Sequence, residues 1–394
     1  MRILELFGGI GACSKALERL GIDYEIADYV EIDKYAVKSF NAIHNTNFEP
    51  QDITQWDKDI KVDLIMHGSP CQDFSLAGKQ AGGDKDSGTR SSLMYETIRI
   101  VEKLKPKYVI WENVKNLLSK KHKHNFDAYL ETMEQLGYTN YYQVLNAKDY
   151  GIPQNRERVF TISILKENPM IIGSLQAHAS KRIDGICPTL TSAMGMGGGQ
   201  TPVIIENIQK FEFPPKQELK LKLKDVLEDE VDEKYYLSDK MINFFYKNEQ
   251  VQKEKGNGFR FGVSDGNVIA KAVTTRAGSR MDDNFIKSKC KRLNSLVEKT
   301  DFEEGKVLNM DLYNQTTNEN ISQCLTEPHH NSQRLFDGLR IRKLTPKECW
   351  RLMGFDDIDV EKAQQVNSNA QLYKQAGNSI VVNVLEAIFK NLII

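Results

Sequence analysis

Residues 3–11 read Ile-Leu-Glu-Leu-Phe-Gly-Gly-Ile-Gly. The apolar residues 3–7 predict a short strand, and the glycines that follow predict a tight turn. A helical pattern from Ser14 to Leu20 comes next and stops at Gly21. The chain therefore begins as strand, glycine turn and helix.

The same alternation continues to residue 165. Strands are predicted at 24–32, 62–66, 108–111, 141–145 and 158–165, and helices at 33–41, 91–104 and 126–136. Asp33 is suited to cap the helix that it precedes. Alternating strands and helices predict an α/β domain whose mostly parallel sheet is covered by helices.

The pattern changes after residue 165, where no regular alternation continues. Three segments share the pattern I-x-x-x-[LV]-T, at 186–191, 269–274 and 321–326, and we interpret them as short strands of one β-rich module. Residues 379–392 have a helical apolar pattern again. We expect this last helix to pack on the first domain, which would make that domain discontinuous.

Composition limits the class of protein. A chain of 394 residues with 40% hydrophobic and 27% charged residues is an ordinary globular protein of two domains, or one with a large insertion. Its net charge of -1 means that any nucleic-acid surface is a local patch. The six scattered cysteines predict reduced thiols in a cytosol and no structural metal. No apolar run reaches transmembrane length, and no charged n-region precedes an apolar core.

Two carboxylates accompany the glycine turn. Glu31 lies near the end of the second predicted strand, where a carboxylate can hold ribose hydroxyls, and Asp52 lies where a third strand would end, available to an adenine amine. Either could instead be a solvated carboxylate at a strand end. The turn has no basic residue to meet a pyrophosphate, so the pattern favours S-adenosylmethionine over NAD.

Cys71 follows Ser69-Pro70 at the end of the predicted strand 62–66, and a polar, glycine-rich stretch from Gln72 to Gly88 follows it. The carboxyl ends of strands carry chemistry in α/β sheets, so Cys71 is a candidate nucleophile under a lid. The alternative is a cysteine that packs as a small buried hydrophobe.

Further polar residues follow other strands. Glu112 ends the strand at 108–111, where burial would raise its pKa and let it donate a proton. Arg156 and Arg158 would lie on one face of an extended segment and could hold a carboxylate, a phosphate or an anionic ring oxygen. The alternatives are a surface carboxylate and a surface charge cluster.

In this order the motifs resemble those of the cytosine-C5 DNA methyltransferase family. They are Phe7-Gly8-Gly9-Ile10-Gly11, Gly68-Ser69-Pro70-Cys71-Gln72, Glu112-Asn113-Val114, Gln154-x-Arg156-x-Arg158, the late motif Arg342-Lys343-Leu344-Thr345-Pro346-Lys347-Glu348 with Arg351-Leu352-Met353-Gly354-Phe355, and Gln375-Ala376-Gly377-Asn378-Ser379. The resemblance covers roughly residues 1–165 and 340–394. Gly8 departs from the family's usual Ala or Ser, and the middle segment matches no recognition domain that we can assign.

The resemblance implies a Rossmann-like, S-adenosylmethionine-dependent methyltransferase domain with a smaller, β-rich target-recognition domain inserted before the C-terminal helix. We expect the catalytic domain at 1–165 plus 372–394 and the recognition domain at 166–371. In the implied mechanism Cys71 attacks C6 of a flipped-out cytosine while Glu112 protonates or hydrogen-bonds N3. Arg158 would lower the pKa of the thiol or orient Glu112, and Arg156 would contact the base or backbone. The implied cofactor-binding residues are Phe7, Gly9, Ile10, Gly11, Glu31, Ile32, Asp52, Ile53, Pro70, Leu93, Asn378 and Ser379.

The implied partners are double-stranded DNA and a cognate restriction endonuclease that acts on the same site. The implied role is part of a restriction-modification system or of a phage self-protection system. We expect S-adenosylhomocysteine as product, no metal, no membrane, a monomer, and the nucleoid-associated cytoplasm of a bacterial or phage-infected cell. Arg260, Arg276, Arg280 and the cluster from Lys287 to Arg292 are either phosphate and guanine contacts or a solvated basic face.

Two other functions compete with this one. A tRNA cytosine-C5 methyltransferase would use the same chemistry, but its middle segment is expected to be much smaller. A non-catalytic DNA-binding relative would not need the intact Cys71, Glu112 and Arg158.

Overall fold

A computed structural model describes residues 1–69, 93–166, 210–256, 261–277, 279–280, 283–289 and 339–394. Only the backbone is described for residues 170–174, 202–205, 308–311, 316–319 and 333–336 and for positions 239, 288–289 and 339–340. The chain divides into two compact units: the first is Met1–Tyr150, Glu157–Gln217 and Ile380–Ile394, and the second is Gly151–Arg156 and Glu218–Ser379. The predicted domain boundaries at 166 and 372 stay a prediction.

The strands have the following bounds in chain order: β1 (Arg2–Leu6), β2 (Glu25–Val30), β3 (Leu64–His67), β4 (Tyr108–Val114), β5 (Tyr138–Asn146), β6 (Gln154–Asn155), β7 (Glu157–Leu165), β8 (Met170–Ser174), β9 (Pro202–Ile205), β10 (Val263–Ser264), β11 (Ala270–Lys271), β12 (Phe285–Lys289), β13 (Leu308–Asp311), β14 (Thr316–Glu319), β15 (Gln333–Phe336) and β16 (Leu339–Lys343). The α-helices are α1 (Ala12–Arg19), α2 (Lys34–His44), α3 (Met94–Leu104), α4 (Lys123–Gln135), α5 (Asp239–Glu254), α6 (Pro346–Arg351), α7 (Asp357–Val366), α8 (Asn369–Asn378) and α9 (Val382–Leu392).

The first unit is built on a six-stranded sheet of order β2-β1-β3-β4-β7-β5. Strands β1 to β4 are parallel, as the alternation of strands and helices predicted. Strand β7 is antiparallel to both β4 and β5. Residues 147–156 connect β5 to β7 without a crossover helix, and a parallel neighbour would need such a crossover. The sheet is therefore mixed at this edge.

Strands β3 and β4 are buried on both faces, which is why residues 64–66 and 108–111 are continuously apolar. Leu4 of β1, Ile65 of β3 and Trp111 of β4 belong to one core cluster, together with residues of α3 and α4. Helix α9 packs against α1 within this unit, where Arg19 and Glu386 form an ion pair of 3.2 Å. The apolar pattern of residues 379–392 predicted this packing.

In the described part of the second unit, short strands form three small sheets. β6 pairs with β11, β12 lies between β10 and β16, and β13 lies between β14 and β15. Of the three I-x-x-x-[LV]-T segments, 269–274 contains only the two-residue β11, and 186–191 and 321–326 lie outside the described residues. The β-rich recognition module stays a prediction.

The late sequence motif builds a buried helix start in the second unit. Thr345 caps α6 in a reciprocal box with Glu348, and Pro346 occupies the first turn. Arg342 donates to both oxygens of Glu348 at 2.8 Å, and both side chains are almost fully buried. These residues of the motif therefore stabilise the start of α6 and its packing against β16.

Candidate active site

The glycine turn after β1 has the backbone geometry that its glycines predicted. Gly9 and Gly11 have φ of 56° and 80°, in the left-handed region that favours glycine. A Cβ on Gly9 would have no heavy atom of the described residues within 4 Å, so with respect to these residues this side of the turn is open to a ligand. A Cβ on Gly8 would lie 2.7 Å from the Tyr29 ring, which explains the departure from Ala or Ser at that position.

The turn is held from two sides by β2 and the residue after it. The Tyr29 hydroxyl donates to the Gly9 carbonyl at 2.6 Å, and the Gly9 N–H donates to Oε2 of Glu31 at 3.2 Å. Oε1 of Glu31 accepts from the Asp33 N–H at 2.8 Å, and burial raises the pKa of this carboxyl. The backbone N–H of Ile32 also bonds this carboxylate, and of its about four acceptor sites one is left for a ribose hydroxyl.

The other predicted cofactor residues are placed as follows. Ile32 exposes 70% of its surface beside Glu31, which is unusual for isoleucine and is suited to cover a flat ring. Ile10 and Ile53 are buried, and Phe7 and Leu93 pack partly buried against the main core cluster. Pro70 lies outside the described residues.

Asp52 is exposed, but its predicted position at the end of a third strand is wrong. Its Oδ1 accepts from the N–H and hydroxyl of Thr54, which caps the 3₁₀ turn Ile53–Gln55, and β3 begins only at Leu64. The short polar stretch before Asp52 contains no apolar run that a buried strand would need.

Asn378 and Ser379 lie at the end of α8, in the second unit. Asn378 is exposed, and Ser379 is buried with its N–H bonded to the Gln375 carbonyl at 3.0 Å.

The end of β3 is fixed against β4 just before Cys71. The Trp111 indole N–H donates to the Ser69 hydroxyl at 3.0 Å, and the Asn113 amide donates to the Ser69 carbonyl at 3.4 Å. A Cβ on Gly68 would lie 3.7 Å from Oε2 of Glu112. Cys71 and the stretch from Gln72 to Gly88 lie outside the described residues, but the backbone that leads into Cys71 runs beside Glu112.

Glu112 and Arg158 form an ion pair on neighbouring strands. Nε of Arg158 lies 3.0 Å from Oε1 of Glu112, and the side chains are 22% and 11% exposed. Arg158 is opposite Val114 in the β4–β7 register and therefore reaches Glu112 diagonally on the same face. Of the two roles that the family resemblance implies for Arg158, this contact is the one that would orient Glu112.

Arg156 does not share this arrangement. It lies between β6 and β7, and its guanidinium donates to the carbonyls of Val273, Gly377 and Ser379 at 3.0, 3.0 and 2.8 Å. Gln154 of the same motif bonds the Val273 N–H and the Leu352 carbonyl. In the second unit these two side chains join segments that are more than a hundred residues apart.

Glu5, which no sequence motif singled out, is a carboxyl on the face of β1 that meets α1. Glu5 is 2% exposed and accepts hydrogen bonds from both the N–H and the hydroxyl of Ser14. Burial raises its pKa to about 7. The available signal was a charged residue in the middle of an apolar strand.

The described residues contain neither a metal-binding cluster nor a membrane-spanning helix. Among the described residues, no three His, Cys, Asp or Glu side chains are grouped so that they could hold a metal ion. No helix in the described part of the chain is long and apolar enough to span a membrane.

A central α/β sheet with an open glycine turn and an acid–guanidinium pair fits an enzyme that uses a nucleoside cofactor. Comparisons with known proteins identify its class as the methyltransferases. The profile of the family C-5 cytosine-specific DNA methylase matches residues 1–394. The chain is 33% identical to the orphan methyltransferase M.SPRI of Bacillus phage SPR, over 100% of this chain and 97% of that protein. It is 32% identical to the type II methyltransferase M2.ScrFI of Lactococcus lactis subsp. cremoris, over 100% and 99%.

Solved structures agree on the fold. The crystal structure of a Spodoptera frugiperda DNMT2 mutant matches with a TM-score of 0.60 and 20% identity over 99% of both chains. The chain belongs to the C-5 cytosine-specific DNA methylase family and is a DNA cytosine-5-methyltransferase. The family resemblance seen in the motifs is confirmed.

Proposed function

We propose that this enzyme methylates C5 of a cytosine within a defined sequence of duplex DNA, through a covalent bond between Cys71 and C6. The observation that carries the proposal is the Glu112–Arg158 pair beside Gly68 and Ser69, where β3 leads into Cys71. Cytosine C5 is a poor nucleophile, and methylation there needs a thiol that adds to C6 and an acid that serves N3.

The turn after β1 fits S-adenosylmethionine, because the space beside Gly9 is open among the described residues and Glu31 retains acceptor capacity for a ribose hydroxyl. Ile32 would cover the adenine, and Asp52 would accept from its amine. The remaining contacts are proposed for Phe7, Ile10, Gly11, Ile53, Pro70, Leu93, Asn378 and Ser379. When bound, this cofactor supplies an electrophilic methyl group on a sulfonium, and S-adenosylhomocysteine is the product.

The proposed role of Cys71 is nucleophilic. Its thiolate adds to C6, which makes C5 electron-rich, and it leaves again by elimination when C5 loses its proton. A thiol with an ordinary pKa of about 8.5 is only a few per cent ionised at neutral pH. Lowering that pKa by one to two units requires about 1.4 to 2.7 kcal/mol of positive potential.

Glu112 is proposed to hold the proton that N3 of the ring takes up as Cys71 adds. Arg158 orients this carboxylate, since its Nε is bonded to one oxygen and leaves the other toward Gly68. We infer that Arg156 acts through the backbone it holds, because three carbonyls occupy its guanidinium.

A stacked base cannot reach these groups, so the target cytosine is flipped out at a cost of a few kcal/mol. We assign target recognition to residues 166–371, whose basic residues include Arg260, Arg276, Arg280 and the cluster from Lys287 to Arg292; Arg260 and residues 290–292 lie outside the described part. Two further proposals are that the enzyme works as a monomer and that it protects DNA against a cognate restriction endonuclease.

Methyl transfer from labelled S-adenosylmethionine to duplex DNA and to tRNA, measured side by side, tests this proposal. We expect incorporation into duplex DNA alone, and bisulfite sequencing should place the methyl group at one cytosine of a short repeated sequence. Preferential methylation of tRNA, or methylation spread over all cytosines, would overturn it.

A further inference from the structure

A basic loop in the second unit is folded by its own hydrogen bonds. The loop runs from Thr274 to Asp283 between β11 and β12, and positions 278, 281 and 282 lie outside the described residues. The Ala277 N–H donates to the Thr274 carbonyl at 3.2 Å, and the Ser279 hydroxyl donates to the Arg276 carbonyl at 2.6 Å. The described backbone therefore forms two linked turns.

Asp283 organises these turns from within. Its side chain is buried, with 6% of the residue exposed. Oδ2 accepts from the N–H groups of Ser279 and Arg280 at 3.0 and 2.9 Å, and Oδ1 accepts from the Thr274 hydroxyl at 3.4 Å. A buried carboxylate that bonds both turns of a loop fixes its shape before any ligand arrives.

The residues that precede the loop, Lys271 and Val273, are also held by hydrogen bonds. Gln154 accepts from the Val273 N–H at 2.9 Å, and Arg156 donates to the Val273 carbonyl at 3.0 Å. Asn284 bonds both the N–H and the carbonyl of Lys271, at 2.9 and 3.0 Å. The motif Gln154-x-Arg156 thus holds the strand from which the loop projects.

The far end of α8 packs against the same loop. A Cβ on Gly377 would collide with the Thr275 N–H and would lie 2.6 Å from Thr275 Cα, so only glycine allows this approach. Such close packing of backbone on backbone leaves the loop little freedom to move as a unit.

The fixed loop presents two guanidinium groups. Arg276 is exposed and Arg280 is half-buried. In the described part of the chain, no carboxylate forms an ion pair with either group, and the oxygens of nearby Asp283 are taken by the loop itself. A planar guanidinium on a rigid loop matches O6 and N7 of guanine in the DNA major groove.

We propose that the described residues of this loop, 274–277, 279–280 and 283, form a preformed base-reading element in which Arg276 contacts a guanine of the recognition sequence. Asp283, Gln154 and Arg156 are its positioning residues. The inference rests on the proposed function, since it assumes that duplex DNA is bound. It differs from the alternative of a solvated basic face in requiring a specific base pair.

Methylation of a duplex library randomised around the modified cytosine tests the role of Arg276. Both Arg276→Lys and Arg276→Ala should lower the preference for one G·C pair by roughly 5- to 150-fold, because lysine keeps the charge but loses the two-pronged contact. Lys247→Ala, which removes an exposed charge from α5 in the same unit, should leave the profile unchanged. An unaltered profile for Arg276→Lys, with a uniform loss for Arg276→Ala, would overturn the inference in favour of a phosphate contact.

The role of Asp283 is tested in the same library. Asp283→Ala should flatten the preference at the same G·C pair and raise KM for DNA about tenfold, with kcat and affinity for S-adenosylhomocysteine unchanged. If that variant does not fold, Asp283→Leu, which fills a similar space but accepts no hydrogen bond, takes its place. Asp283→Asn, whose amide oxygen can still accept from both N–H groups, should keep the profile. An unchanged KM and profile in folded Asp283→Ala or Asp283→Leu would refute the positioning role. Failure of the wild type to methylate any duplex would instead refute the proposed function.

Discussion

Oε1 of Glu112 lies 3.0 Å from Nε of Arg158, across two antiparallel strands of the sheet. The guanidinium fixes the carboxylate on the side of β4 where β3 ends, and its other oxygen faces the backbone of Gly68. A carboxyl group held in one orientation can hydrogen-bond a ring nitrogen with little further loss of conformational entropy. The antiparallel strand β7 therefore contributes to the proposed active site by supplying Arg158.

Replacing Glu112 by glutamine should remove the proton but keep the shape. We expect the single-turnover rate of methyl transfer to fall by roughly 10²- to 10⁴-fold, the usual contribution of a positioned acid. Affinity for S-adenosylhomocysteine should not change. Glu157→Gln is the matched control, because Glu157 pairs with exposed Lys115 at the start of β7. A rate for Glu112→Gln equal to that of the control would contradict the assigned role.

Glu31→Gln should weaken cofactor binding. The substitution places an amide N–H₂ against one of the backbone N–H groups from which Glu31 now accepts, and it removes the charge that favours a ribose hydroxyl. A loss of about 1.5 to 3 kcal/mol corresponds to roughly 10- to 150-fold in Kd for S-adenosylhomocysteine, measurable by calorimetry. Glu25→Gln, at the exposed start of β2, should bind like the wild type. Equal affinities in both variants would show that Glu31 does not hold the cofactor.

Glu5 should make stability depend on pH. Its pKa rises from 4.5 to about 7 on folding, so between these values the folded state keeps a proton that the unfolded state has lost. The free energy of unfolding therefore falls as pH rises from about 4.5 to about 7, by about 3 kcal/mol, and then levels off. The free energy of unfolding, measured with urea, should fall between pH 4.5 and about 7 in the wild type relative to Glu5→Gln, because glutamine does not titrate. Parallel pH profiles for the two proteins would rule this out.

The Arg342–Glu348 pair should matter for stability far more than a surface pair. Glu348→Gln leaves the Arg342 guanidinium buried without its counter-charge, which costs about 3 to 5 kcal/mol. Glu361→Gln breaks the exposed pair with Lys347 and should change stability by about 0.5 kcal/mol or less. Urea unfolding measures both. Similar losses for the two variants would mean that the buried pair is no stronger than a surface one.

Local patterns in the sequence predicted local structure well. The strand at residues 3–7 is observed at Arg2–Leu6, and Asp33 caps α2 by accepting from the Tyr35 N–H. Apolar periodicity and capping chemistry act within a few residues, so one stretch of sequence contains the information. The proximity of Glu112 and Arg158 was implied by the family resemblance and not by the strand pattern, because it depends on the antiparallel direction of β7.

Long-range partners could not be predicted in this way. In the sequence Arg156 and Arg158 look equivalent. The partners of Arg156 are the backbone carbonyls of Val273, Gly377 and Ser379, and a backbone carbonyl cannot be recognised from the residue type. The antiparallel direction of β7 depends on a connection without a helix, and Asp52 needed a strand that the chain does not form there. Each of these depends on tertiary pairing.

Covalent attack by Cys71 is the central claim, and trapping on duplex DNA that contains 5-fluorocytosine tests it most directly. Fluorine at C5 blocks elimination, so the wild type with S-adenosylmethionine should form a complex that survives denaturing electrophoresis. Cys71→Ser should form none, while it binds S-adenosylhomocysteine with unchanged affinity. A trapped complex with Cys71→Ser, or none with a wild type that methylates ordinary DNA, would contradict the account.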